Sequence, residues 1–62
     1  MAGYRIYWLS RDNRIAARLE IEEAADVDAI ETARSVFERE RDSGYMGFEI
    51  WCLGRMVYRW IR

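Results

Sequence analysis

The chain predicts an α+β fold of ββαββ order, a four-stranded antiparallel-type sheet with one helix packed on one face. Three observations predict it. Apolar residues alternate through two N-terminal segments, recur at helical spacing through the middle, and return to strand-like density after Phe48. A hairpin, an amphipathic helix and a second hairpin bury their apolar sides most simply as a sheet with the helix laid across it.

The first hairpin is read from Tyr4 to Leu9 and from Ile15 to Ile21. In the first run every residue but Arg5 is β-branched, aromatic or leucine, and in the second Ala16, Arg18 and Glu20 alternate with apolar residues. Asp12 and Asn13 between them tolerate left-handed backbone, which predicts a two-residue type I′ turn. That turn pairs Trp8 with Ala17, Ile6 with Leu19 and Tyr4 with Ile21 on one apolar face. On the other it pairs Leu9 with Ala16, Tyr7 with Arg18 and Arg5 with Glu20.

The helix follows an acidic stretch. Asp26 is the expected N-cap, Asp28 and Glu31 lie near the positive end of the dipole, and Ile30, Ala33 and Phe37 form the core stripe with Val27, Ala29 and Val36 beside it. Glu31, Arg34, Glu38 and Arg41 make the exposed side. Arg39 and Arg41 suit the last turn, and Gly44 supplies the stop. Trp8, Leu19, Ile30 and Phe37 are therefore expected in the core.

The last hairpin is interrupted only by Gly54. A Gly54-Arg55 type II′ turn puts Phe48, Ile50, Cys52, Val57 and Ile61 on one face and Trp51, Leu53, Met56, Tyr58 and Trp60 on the other. A loop one residue different exchanges the faces of the final strand. The two central strands are expected to be the first and the last.

Composition bounds the function. The 62 residues make one domain, spanning 1–62, near the lower size limit for independent folding, where disulfides, metals or partner subunits reinforce small cores. Cys52 is the only cysteine and no histidine is present, so neither an internal disulfide nor a zinc set is available, which leaves oligomerisation. The apolar fraction of 52% excludes a disordered chain, and no segment reads as a membrane span or secretory signal, so a cytoplasmic protein with a reduced thiol is expected. Net charge is −1, and all ten basic residues are arginine. No overall field favours nucleic acid or an anionic membrane.

Candidate chemistry is sparse. Cys52 lacks a histidine to activate it and reads as a buried small hydrophobe. Glu20, Glu22, Glu23, Asp26 and Asp28 match no calcium loop, and charge at a helix start accounts for them. Ser10, Ser35 and Ser43 have no base partner, and no glycine-rich phosphate loop exists. The expectation is a protein that is not an enzyme and carries no cofactor or metal.

The run Tyr4-Arg5-Ile6-Tyr7-Trp8-Leu9, then Asp12-Asn13-Arg14-Ile15, Ala24-Ala25-Asp26, Glu49-Ile50-Trp51 and Gly54-Arg55-Met56-Val57 resembles a group of short, uncharacterised bacterial proteins of similar length. Their pattern is a strand pair, an Ala/Glu/Arg-rich helix and a Glu-Leu-Trp strand before a tight turn. The resemblance covers nearly the whole chain and implies the same fold, with no activity or catalytic residues to transfer. Trp60 and Leu53 depart from it and make the last hairpin more apolar.

The second sheet face carries the functional expectation, because a solvent face of an antiparallel sheet should be mostly polar. In the expected registers it holds Tyr7, Leu9, Trp51, Leu53, Met56, Tyr58 and Trp60, a patch larger than monomers usually expose. The alternative is that some of these side chains turn to the helix side, or that the C-terminal tail folds over them. An interaction module that forms a homodimer, or binds another protein partner, through this face is the leading expectation, with Trp51 and Tyr58 at its centre. A single-stranded nucleic-acid platform, with Arg5, Arg18, Arg55 and Arg59 beside the aromatics, is the second. A small-ligand carrier between sheet and helix is the third.

Overall fold

A computed structural model describes all residues from Met1 to Arg62. It shows β1 (Ala2–Leu9), β2 (Ile15–Glu23), α1 (Asp26–Arg39), a 3₁₀ turn (Arg41–Ser43), β3 (Gly47–Cys52) and β4 (Arg55–Ile61). The sheet is four-stranded and antiparallel in the order β2-β1-β3-β4, with the helix on one face. The central strands are thus β1 and β3, not the first and last. Burial explains the difference. Tyr4, Ile6 and Trp8 of β1 and Phe48, Ile50 and Cys52 of β3 are all buried, whereas β2 and β4 contain no buried residue and can tolerate an edge. Both β2 and β3 run antiparallel to β1, so α1 carries the chain over β1 between two parallel strands.

Every expected pair of the first hairpin from Tyr4–Ile21 to Trp8–Ala17 forms. The turn differs. Asn13 alone has positive φ, the Asn13 amide donates to the Ser10 carbonyl, and the Ser10 amide donates to the Arg14 carbonyl, which makes a three-residue loop. That loop pairs Leu9 with Ile15, not Ala16, and Ala16 becomes an extra residue in a bulge. The bulge reconciles an odd loop with the register the apolar face demands.

Helix α1 starts one residue earlier than a cap at Asp26 would allow. Ala25 occupies the N-cap position and no side chain caps the helix. The Asp26 carboxylate is engaged elsewhere, accepting from the Tyr4 hydroxyl at 2.7 Å and lying 3.6 Å from Arg55. This ties the helix start to both hairpins. The hydrogen bond to Asp26, then burial and the negative charge, push the Tyr4 phenol up to about 12. Ala29, Ala33 and Phe37 are buried, and Ile30 and Val36 pack at their margin. Val27 is exposed, outside the stripe. Leu19 is likewise half-buried because β2 is an edge. Gly44, with φ 83°, ends the short 3₁₀ turn and not α1 itself.

The core is an aromatic stack under the helix. Trp8, Phe37 and Phe48 lie 5.7–6.4 Å apart by ring centroid, and Tyr45 stacks on Trp8 at 6.0 Å. Cys52 belongs to this core, as the small-hydrophobe reading requires.

Candidate functional site

The outer face, opposite the helix, is assembled by register. Its middle rows cross the whole sheet. One runs Arg18, Tyr7, Glu49, Arg59 and the next runs Glu20, Arg5, Trp51, Met56, each residue being the paired neighbour of the one before. Polar links join them. Arg59 Nε lies 3.2 Å from Glu49, whose other oxygen accepts from the Trp51 indole at 3.0 Å. Arg5 lies 3.6 Å from Glu20 and donates to the Tyr7 hydroxyl at 3.4 Å. The hydrogen bond to Tyr7, then the electrostatic influence of Tyr7 and of Glu20, hold the Arg5 guanidinium above its ordinary pKa. Tyr7 and Trp51 are consequently fixed rings, half-buried among charges.

The β3–β4 turn and the bulge that follows it decide which of the expected residues join them. Leu53 and Gly54 both have positive φ, 53° and 76°, so the two-residue loop is Leu53-Gly54 and not Gly54-Arg55. Cys52 therefore pairs with Arg55 and Trp51 with Met56, after which Val57 is an extra residue and the strand continues with Ile50–Tyr58 and Phe48–Trp60. This shifts Tyr58 and Trp60 to the helix side. The Trp60 ring meets Phe37 edge-on at 5.3 Å, and the Tyr58 hydroxyl accepts from Arg34 at 2.9 Å. Arg55 also turns to that side, toward Asp26.

Of the expected patch, Tyr7, Trp51 and Met56 are thus brought together on the outer face. Leu53 is 98% exposed at the tip of the turn. Leu9 lies on this face but is buried at its far end, where Ile61 reaches over Gly47. A Cβ on Gly47 would sit 2.2 Å from the Trp60 carbonyl oxygen and 2.9 Å from Ile61 Cδ1. Of the expected arginine platform, Arg5, Arg18 and Arg59 share this face and Arg55 does not.

Between β2 and the Leu53-Gly54 turn the face sinks into an open concavity of about 660 Å³, bordered by Arg5, Tyr7, Glu20, Glu22 and Trp51 with Gly3 at its floor. A Cβ on Gly3 would meet nothing within 4 Å. Glu49 and Gly3 are parts of the surface that the sequence did not single out, and Glu22, read there as charge at a helix start, lines it as well. Glu49 was legible in principle, since it alternates with Ile50 on a strand whose other side is core.

The acidic residues read as charge at a helix start are dispersed. Glu20 faces Arg5 on the outer surface, Asp26 holds Tyr4, and Glu23 accepts from the Thr32 hydroxyl at 2.8 Å. Arg59 also donates to Asn13 at 3.1 Å, which links the first turn to β4. No helix is long and apolar enough to cross a membrane. Comparison with known proteins finds no matching family model, no similar curated protein and no similar solved structure.

Proposed function

We propose that the protein is a small non-enzymatic interaction module that self-associates through the outer face of its sheet. The observation that supports this reading is the pair of ordered rings, Tyr7 and Trp51, set with Met56 in a frame of Arg5, Glu20, Glu49 and Arg59 on a face the helix leaves uncovered. Aromatics, Met and Arg are the residue types enriched in interfaces, and the charges that alternate with the rings on the central strands, Arg5 and Glu49, are already paired with Glu20 and Arg59. A chain of 62 residues without disulfide or zinc set also gains most from a partner subunit.

The arginines on this face favour a protein over a nucleic acid, because Arg5 and Arg59 already face carboxylates. The test uses Trp60→Phe, which leaves Trp51 as the tryptophan open to quenching, since Trp8 is buried. Acrylamide quenching of Trp51 should weaken as protein concentration rises through the micromolar range. Quenching that stays constant would overturn self-association on this face. Oligonucleotide binding that falls with salt would favour the nucleic-acid platform instead.

A further inference from the structure

The order β2-β1-β3-β4 leaves two edges, and they differ in whether another strand can pair with them. β4 carries its bulge at Val57, which leaves only Tyr58 to Ile61 evenly paired beyond it. β2 is irregular only at Ala16 and runs evenly from Ala17 to Glu23. Along that stretch Ala17, Leu19 and Ile21 are half-buried against the core cluster, while Arg18 and Glu20 lie on the outer face. Arg18 makes no ion pair within its own chain.

We infer that β2 is a self-pairing edge, which takes the β2 of a second copy in antiparallel register about a two-fold axis at Leu19. In this register Leu19 faces Leu19 of the second copy, Ala17 faces Ile21, and Arg18 faces Glu20 on both sides of the axis. No like charges meet. Opposite charges directly across strands are favourable and like charges are not, so charged side chains that usually protect an edge here select one alignment. Centring the axis on Arg18 or Glu20 instead, a shift of two residues in register, keeps the apolar residues on the helix side but sets two like charges face to face at the axis. The carboxylate of Glu20, already beside Arg5, gains Arg18 of the second copy, so a chain of alternating charges crosses the seam. On the helix side the half-buried Leu19 meets its equivalent and Ile21 meets Ala17 of the second copy, and the two cores join.

This contact is isologous and closed. It is made along the edge of β2, drawing only Arg18 and Glu20 from the margin of the outer face, and does not depend on that face being an interface. Two copies joined at β2 place their outer faces side by side on one continuous sheet, doubling the area that a face-bound partner can span.

Leu19→Cys tests it, since Cα atoms directly opposite in an antiparallel pair lie about 4.5–5.5 Å apart, within disulfide reach. Mild oxidation of Leu19→Cys should give a covalent dimer, whereas Glu22→Cys, which faces Ala16 in this register, should not. Arg18→Glu and Glu20→Arg should each lower the Leu19→Cys dimer yield by about tenfold, and the double reversal should restore it. Placing Leu19→Cys in a Trp51→Glu background separates the two contacts, because a seam at β2 survives loss of the outer face. Equal cross-linking at Leu19 and Glu22, or single reversals without effect, would overturn the β2 pairing while leaving the outer-face reading intact. Cross-linking that disappears with Trp51→Glu would also overturn it, assigning the contact to the face.

Discussion

The two hairpins solve the same problem in opposite ways. In each, a turn of one loop length meets a strand pair of another register, and a single bulged residue absorbs the difference: Ala16 in the first, Val57 in the second. In the first hairpin the apolar face is one-sided, and the bulge keeps the strand in the register that buries it. In the second, both faces of β4 offer large side chains. The bulge then decides which of them meet the helix, and it sends Tyr58 and Trp60 inward. Turn chemistry yields to the face that must be buried. Where two faces compete, packing against Phe37 and Phe48 chooses.

That contrast places the stability of the fold in β3 and not in β2. Phe48→Ala, at a site 1% exposed in contact with Trp8, Phe37 and Trp60, should cost about 3–5 kcal/mol and leave so small a domain largely unfolded. Leu19→Ala on the edge strand should cost only about 1–2 kcal/mol, since Leu19 is half-exposed. Urea denaturation of the two variants measures both. Equal losses would mean that the hairpins contribute alike and the contrast fails.

The close approach of β4 to Gly47 gives the next largest effect. Gly47→Ala forces its methyl group against the Trp60 carbonyl and the Ile61 backbone, and should destabilise by about 1–3 kcal/mol. Because the Arg62 amide donates to the Met46 carbonyl at 2.7 Å beside this contact, its hydrogen exchange should accelerate before that of β1 amides. Uniform acceleration across the sheet would place the strain elsewhere.

The turns differ in the opposite direction. Leu53 holds left-handed backbone, which costs an L-residue of its type about 1–2 kcal/mol, and it is almost fully exposed. Leu53→Asn should therefore raise stability by about 1 kcal/mol, because Asn-Gly is the preferred type I′ pair. Asn13 already has the residue its φ of 65° favours, so Asn13→Ala should lower stability. Thermal melts of both variants sharpen the comparison, and a neutral Leu53→Asn would show that Leu53 makes compensating contacts.

The last effect has its signature at high pH. Tyr4 titrates near 12 in the fold against about 10 in the unfolded chain, so the folded form retains its proton longer. Stability from this group is fully present below pH 10 and is lost as pH rises toward 12. Tyr4→Phe should be less stable than the parent at neutral pH and should lack this alkaline decline, which a series of melts between pH 9 and 12 would show. A parent whose melting point is flat over that range would mean that the Asp26 hydrogen bond is not kept in solution.

The element order, the helix stripe and the main register of the first hairpin were legible because period-two and helical patterns there point to a single buried face. Strand order was not legible, since the relative burial of β1 and β3 depends on packing across the sheet. The candidate surface was half legible. Tyr7, Trp51 and Met56 follow from alternation near a fixed point, whereas Tyr58 and Trp60 depend on the bulge at Val57, which alternation along β4 does not reveal. Asp26 misled as a cap for a related reason, because its carboxylate is engaged by Tyr4, a residue far away in sequence.

Sedimentation equilibrium of the parent and of Trp51→Glu, over the micromolar range at one salt concentration, tests the proposed module most directly. The account predicts that the parent exceeds the 7.5 kDa of one chain, with an apparent mass that rises with concentration, and that Trp51→Glu sediments at about half the parent's mass while remaining folded. A parent that stays at 7.5 kDa throughout, or a Trp51→Glu variant that assembles like the parent, would contradict it.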